Sequence, residues 1–558
     1  MNVNRIKADV AIVGGGLAGL NSALGAVEAG ARVVVMDKAK IERSGAIAGG
    51  VDHCMAYLNQ GEPWDTREVY LAFVAKAAFG AVDLTVHERI FCDELEAAID
   101  RMAGIGCPLH DPVNGEYYRT RSFGQPGPYW VNFDGKNLKP LLARAVRQAG
   151  CRVLDFVTTT NLFVHEGRVQ GAAGYHIRDG SYWVVESPAV VVATGNTNRL
   201  FETPSGMPFN TWLCPYDTGA AQAMAYRAGA TLANMEYVRM TLVPRGFSAP
   251  GLNAFAGEGA TFINALGESY MTRYHELGDK APRNSLVYGA LMEVREGRGP
   301  LFLDCTRIPK ENMAILKGTL GTDKDTLPDF FRQKGIDIGV DPFEVEVSEG
   351  MQTGPLEIVG SGVKIDAQCM SNVEGLFASG DCADQMKVVH MALTGGYAAG
   401  REAAAFAARQ PSDAPDERAV LAELQRLVAP LQRASGWHYG EVETVLRKIM
   451  KEYVGPMRSE VGLQTAQKKL GLLREDLDRL KAENPHELMR CLETAELLTV
   501  GEIMAAAALA RKESRFIPYH YRLDFPDQDD AHWGGQILVS QQDGQISTRF
   551  QALDGDRA

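Results

Sequence analysis

Nine cysteines are scattered over 558 residues, and no two of them form a C-x-x-C pair. Spacing that wide supplies no ligand set for an iron–sulfur cluster, a zinc ion or a c-type haem, so no metal site is assigned and the thiols are read as free in a reducing compartment. Long apolar runs are missing as well. Nothing approaches the roughly 20 residues that a membrane helix needs, which argues against direct membrane insertion. The short polar stretch Met1 to Ala8 carries no signal-peptide pattern, and the chain is read as cytoplasmic. Basic charge is in deficit: 57 Lys and Arg against 70 Asp and Glu leave a formal charge of −13. That balance argues against nucleic acid as a main partner. The remaining composition is that of an ordinary globular chain, long enough for two to four domains.

Against these absences, the N-terminal segment is rich in signal. Val10 to Val13 is an apolar run suited to a buried parallel strand. It leads into Gly14-x-Gly16-x-x-Gly19 and a helical pattern with Leu17, Leu20, Leu24 and Val27 on one side. A second apolar run, Val33 to Met36, ends in Asp37. Each part has a physical task. Gly14 permits a tight turn, Gly16 lets the backbone approach a pyrophosphate, and Gly19 lets helix and strand pack closely. The helix N-terminus offers unpaired N–H groups, and Asp37 stands where a carboxylate can accept hydrogen bonds from a ribose. Strand, glycines, helix, strand and acid together predict a dinucleotide-binding unit.

Two later segments point to FAD. AVVVATG, residues 189 to 195, and GLFASGDCA, residues 375 to 383, each read as a strand ending in a small-residue turn. They resemble the second and third FAD signatures of flavoproteins with two dinucleotide-binding folds. That resemblance assigns Ala193, Thr194, Gly195 and Gly380 to the cofactor, and has Asp381 bond the ribitol chain. TGGYAAG, residues 394 to 400, is expected to open a helix aimed at the flavin, which brings in Thr394, Gly395 and Gly396.

Between and beyond these motifs the chain resembles the flavoprotein subunits of the fumarate reductase and succinate dehydrogenase superfamily, and within it most of all the alpha subunit of adenylylsulfate reductase. The likeness rests on ERSGAIAGG at 42 to 50, WLCPYDT at 212 to 218, ATFIN and GESYMTRY in the 260–274 region, APRNSLVYGALMEVREGRG at 281 to 299 and the tail ESRFIPYHYRLDFPDQDDAHW. It implies a flavin-ring loop containing Ser44 and Gly45, with Lys38 also at the cofactor. Gly45 stands where succinate dehydrogenases carry a histidine bonded to FAD, so the cofactor is expected to be non-covalent. The dicarboxylate clamp of that superfamily is largely missing: EYVRMTLVPRG replaces its HPTG motif, and EIVGSG at 357 to 362 holds no histidine.

The same resemblance assigns a catalytic role to Arg283, whose alternative is an ion pair with Glu293 or Glu296 on its own helix. It does likewise for His390, four residues before Thr394, and for Trp212 at the flavin face. Arg239 and Arg245 are candidates for an anionic substrate group. Met55 and Lys136 depart from the adenylylsulfate pattern, which has asparagine and glutamate there. The implied architecture is α/β: a discontinuous Rossmann-like FAD-binding domain (1–235 and 351–408), an inserted capping domain (236–350) and a C-terminal helical domain with its tail (419–558). In the last of these, Leu463, Ala466, Leu470, Leu473, Leu477 and Leu480 form one apolar stripe. The expected activity is FAD-dependent redox chemistry on a small anionic substrate, and the expected partner is a ferredoxin-like iron–sulfur subunit. An enoate reductase or dehydrogenase, and an electron-transfer subunit with no substrate of its own, are the alternatives.

Overall fold

Apolar runs without polar interruption suit strands covered on both faces, and the chain assembles four of them, with the more polar edge strand Arg152–Asp155, into one sheet. The computed structural model describes residues 3–111, 113–121, 125–203, 206–247, 252–323, 326–411 and 413–553. Its central sheet places Leu376–Ala378, Ala189–Val192, Val10–Val13, Val33–Asp37 and Arg152–Asp155 side by side, all parallel. Val10 stands opposite both Val33 and Ala189. The turns after these strands therefore converge on one edge of the sheet, where open α/β folds bind ligands. Leu376–Ala378 joins only after a long excursion of the chain, so the FAD-binding fold is discontinuous.

The Leu17–Glu28 and Val388–Ala407 helices cross in intimate contact. A Cβ added to Gly400 would stand 1.9 Å from the Ser22 carbonyl oxygen, and one on Gly25 2.4 Å from that of Tyr397. The Ser22 hydroxyl donates to the Gly396 carbonyl at 2.8 Å.

The intervening chain builds a separate antiparallel sheet in the order Arg239–Pro244, Phe343–Met351, Leu301–Asp304, Thr261–Ile263. The Arg283–Arg295 helix packs on its first two strands. In the C-terminal part, the Glu460–Leu477 helix buries Leu463, Ala466, Leu470 and Leu473, as the stripe predicts, while Leu480 is buried beyond the helix end. This region is not helical throughout. Gly535–Gln542 and Gln545–Ala552 form a hairpin that pairs with Leu232–Ala233. Its Asp543-Gly544 turn has both φ angles positive, 49° and 77°, the geometry that matches the twist of two-residue hairpins. Among the described residues no helix is long and apolar enough to cross a membrane.

Candidate active site

A cavity of about 800 Å³ opens at the converging strand ends, within the range of small-molecule and cofactor sites. Its floor is the glycine loop. Gly14 has φ 103°, and a Cβ there would meet the Ala193 carbonyl at 2.4 Å. At Gly19 a Cβ would come within 1.8 Å of the Gly14 oxygen, so helix and strand touch through this residue. Gly16 differs: the nearest atom to an added Cβ is 3.9 Å away, and the residue borders the cavity. It is the N-cap of the Leu17–Glu28 helix, with no side chain capping it, which leaves the first-turn N–H groups to an anion.

Asp37 is held beside this loop by donors from Gly15 N (2.6 Å), Ala39 N (2.7 Å) and the Ser44 hydroxyl (3.2 Å). Lys38 pairs with Glu493 at 3.1 Å. Burial alone would lower the lysine's pKa, but Glu493, Glu496 and Asp217 outweigh it and raise it. Lys139, buried behind the loop, donates to the Gly15 carbonyl, and burial pushes its pKa down to about 8. Ala193, Thr194, Gly195, Gly380, Asp381, Ser44 and Gly45 all line the same cavity. An uncapped helix end, a glycine opening on the void and an acid fixed at the second strand suit a dinucleotide.

Asp217 also lines this part of the cavity. Burial pushes its carboxyl up to about 7, with Lys38 opposing and Asp381 and Asp37 adding. A raised acid pKa means that the folded chain keeps a proton that the unfolded chain has already lost. Its contribution is present below the unfolded value near 3.8 and is lost as pH rises through about 7. In the flavin-free protein, Asp217→Asn is expected to flatten the fall in unfolding free energy between pH 4 and 8, by a difference on the order of 2–4 kcal/mol. Urea melts at several pH values check this; parallel slopes for variant and parent would refute it.

At the other end Trp212 forms the wall. The Arg239 guanidinium lies 4.8 Å from its ring centre and that of Arg283 6.0 Å. Glu357 is ion-paired with Arg239 and stands 4.0 Å from Arg283. Arg283 is the first residue of its helix, entered through Pro282, and it lines the cavity. Burial lowers its pKa from the ordinary arginine value. It does not pair with Glu293, which instead accepts from Arg298 (2.7 Å), Tyr274 (2.7 Å) and Asn264 (2.9 Å). Glu296 is likewise engaged by Arg298.

His390 sits at the start of the Val388–Ala407 helix and is buried. The Met55 N–H donates to its Nδ1 at 3.3 Å, so the ring hydrogen belongs on Nε2. Nε2 has no protein partner among the described residues. Burial, with His53 and His87 adding, pushes the imidazole down to about 3; it is a neutral N–H donor at physiological pH. The helix start is pinned by Asp381, which accepts from Val388 N at 2.7 Å. Val388 has φ 67°, a strained value for a β-branched residue and one that clusters at functional sites.

Two sequence expectations need correction. Arg245 is not at the cavity. It follows the buried Arg239–Pro244 strand, its side chain is 54% exposed, and it pairs with Glu344 at the surface. Thr394, Gly395 and Gly396 do not open a helix toward the flavin. The helix begins six residues earlier, at Val388. Thr394 bonds the His390 carbonyl at 3.2 Å, and Cβ atoms on Gly395 and Gly396 would lie 3.1 Å from Ile90 and 2.7 Å from the Ala18 carbonyl. Their small size serves helix packing. The sequence reading missed Glu357, Asp217, Lys139 and His53, which stands on Trp130 with ring centres 4.7 Å apart. It also gave no site role to the Pro485–Ala510 helix, whose Met489, Arg490 and Glu493 line the cavity. Lys139, in LKPLL, and Glu357, in LEIV, carried a signal, as charged residues inside apolar stretches; Asp217 carried none.

Comparison with known families decides the class. The family of FAD binding domains matches residues 9–396, and the C-terminal family of the fumarate reductase flavoprotein matches residues 443–556. The chain belongs to the fumarate reductase and succinate dehydrogenase flavoproteins. It is an FAD-dependent oxidoreductase. This flavoprotein is 28% identical to an L-aspartate oxidase of Streptomyces coelicolor, covering 96% of this chain and 91% of that one. It is 26% identical to a chain of the CoM/CoB fumarate reductase of Methanothermobacter marburgensis, covering 96% and 97%. In fold it matches adenylylsulfate reductase from Archaeoglobus fulgidus with a TM-score of 0.82, 24% identity and coverage of 99% and 97%.

Proposed function

We propose that this flavoprotein reduces or oxidises a small anionic substrate held between Trp212, Arg283 and His390, using non-covalent FAD and exchanging electrons with a ferredoxin-like iron–sulfur subunit. The observation that carries the reading is the meeting of Arg283, Trp212 and a His390 Nε2–H without a partner among the described residues, at one end of the FAD cavity. FAD supplies hydride or electron transfer there when bound. The chain's own residues do the rest. Arg283 binds the anionic group and, with its pKa lowered by burial, can release a proton to the substrate. His390 donates a fixed hydrogen bond to charge that develops on a substrate oxygen. Trp212 and the capping sheet exclude water, which strengthens both effects.

Reduction or desaturation of an activated C–C bond, with Arg283 as the acid, is favoured over attack on sulfur because, of Arg239, Arg245 and Arg283, only the last borders the cavity. The near full-length likeness to a fumarate reductase chain points the same way. Gly45, with φ 75° and its nearest neighbour 3.5 Å from an added Cβ, has no side chain to bond the flavin. Acid precipitation should therefore release all FAD into the supernatant, and native purification should bring an iron-containing partner that the isolated chain lacks. Flavin retained on the precipitated polypeptide would refute non-covalent binding; a natively purified complex without iron would refute the partner.

A further inference from the structure

The Trp212 wall carries two cations and one anion, and their burial is unequal. The Arg239 side chain is 3% exposed and that of Glu357 13%, so their pair is withdrawn from water, whereas Arg283 is 33% exposed. Glu357 does not reach this place by a relaxed turn. Leu356 and Glu357 adopt φ angles of 52° and 60° in succession, values that non-glycine residues keep only where the surroundings over-determine them. The Glu357 carbonyl accepts from Lys387 N at 2.8 Å, which ties this segment to the start of the helix that carries His390. The carboxylate is thus built into the cavity wall from both sides.

We propose that Glu357 sets the charge of the substrate: by neutralising Arg239 it leaves one net positive charge at Trp212, carried by Arg283, so the site takes a monoanion and rejects dicarboxylates and other dianions. The inference rests on the reading of this cavity end as an anion site. A monoanion needs one guanidinium, and Arg283 provides it. A second carboxylate would need Arg239, which is already engaged, and would approach Glu357 in an enclosed, water-poor place where like charges are poorly screened. Selectivity then comes from a repulsive group as much as from an attractive one. The same arithmetic sets a monocarboxylic enoate apart from fumarate, and from adenylylsulfate with its phosphate and sulfate charges.

Crotonate and fumarate make a matched pair, since a methyl group in one replaces a carboxylate in the other. Each is titrated into the FAD-loaded protein, and binding is read from the flavin difference spectrum. Wild type should bind crotonate at least about tenfold tighter than fumarate, a difference of about 1.4 kcal/mol. Glu357→Gln should narrow or reverse that ratio by about tenfold or more by admitting fumarate. Arg239→Met combined with Glu357→Gln removes one charge of each sign and should restore the preference for crotonate. Equal binding of the two ligands by wild type overturns the inference, as does an unchanged ratio in Glu357→Gln. The wild-type ratio decides by itself if that variant does not accumulate folded. A flavin spectrum that responds to neither ligand in any variant overturns the anion-site reading, and this inference with it.

Discussion

Arg283→Lys and His390→Ala should each retain FAD and near-normal melting while losing about 10²-fold or more in turnover of the physiological substrate, the scale of a missing positioned acid or oxyanion donor. Lysine keeps the charge of Arg283 but loses the planar fork that binds an anion in fixed geometry beside Trp212. Alanine removes the Nε2–H that the Met55 backbone orients through Nδ1. Reduction of an artificial dye, which needs only the flavin, should survive in both. Because burial holds His390 neutral down to about pH 3, its loss should lower the whole rate profile between pH 5 and 8 without moving any limb of it. FAD content, melting temperature, dye activity and substrate activity measured side by side decide the matter. Unchanged substrate turnover in both variants would place the chemistry elsewhere in the cavity, and loss of FAD from both would make the residues structural.

The other large effect is expected far from any reacting atom. At Gly400 a Cβ would stand 1.9 Å from the Ser22 carbonyl oxygen, with further backbone atoms of Ser22 at 2.6 and 2.7 Å. None of these is the end of a flexible side chain, so the two helices must separate. Overpacking of this kind costs about 1–3 kcal/mol and at times more. One of these helices presents its N-terminus to the cavity and the other carries His390, so Gly400→Ala should also lower the FAD content. Gly471→Ala, where an added Cβ meets nothing within 4 Å, is the control: in the Glu460–Leu477 helix it should stabilise by about 0.5–1 kcal/mol. Equal melting temperatures and flavin content for the two variants would mean that the helix crossing can relax.

Legibility in the sequence followed the range of the interactions involved. Gly14, Gly16, Gly19 and Asp37 were readable because one short unit contains strand, turn, helix and acid, and each residue acts on neighbours in the chain. The apolar stripe from Leu463 to Leu473 was readable for the same reason. Gly395 and Gly396 misled because glycine has two uses. It opens turns and it lets helices touch, and only the partner helix, far away in the chain, tells which applies. Arg239 and Arg245 could not be told apart by residue type. The strand that buries Arg239 ends before Arg245, and Glu344 draws the latter to the surface. Glu357 escaped notice because its meaning depends on Arg239 and Trp212, which only the fold brings to it. The closing hairpin was readable in principle, since Asp543-Gly544 stands between an apolar run, Ile537 to Val539, and a segment in which Ile546, Thr548 and Phe550 alternate with polar residues, yet the expectation of a helical region passed over it.

The participation of the Pro485–Ala510 helix in the cavity wall sets a timetable for biosynthesis. The glycine loop and Asp37 leave the ribosome before the elements that complete their site: the sheet gains Leu376–Ala378 only after the long intervening chain is made, and Lys38 waits longer still for Glu493. A nascent chain emerging N-terminus first therefore carries its most recognisable cofactor motif long before it owns a closed pocket. Complete closure of the pocket waits for the Pro485–Ala510 helix to emerge, and the half-made sheet with its exposed apolar strands is the stretch of synthesis at which a chaperone has most to protect.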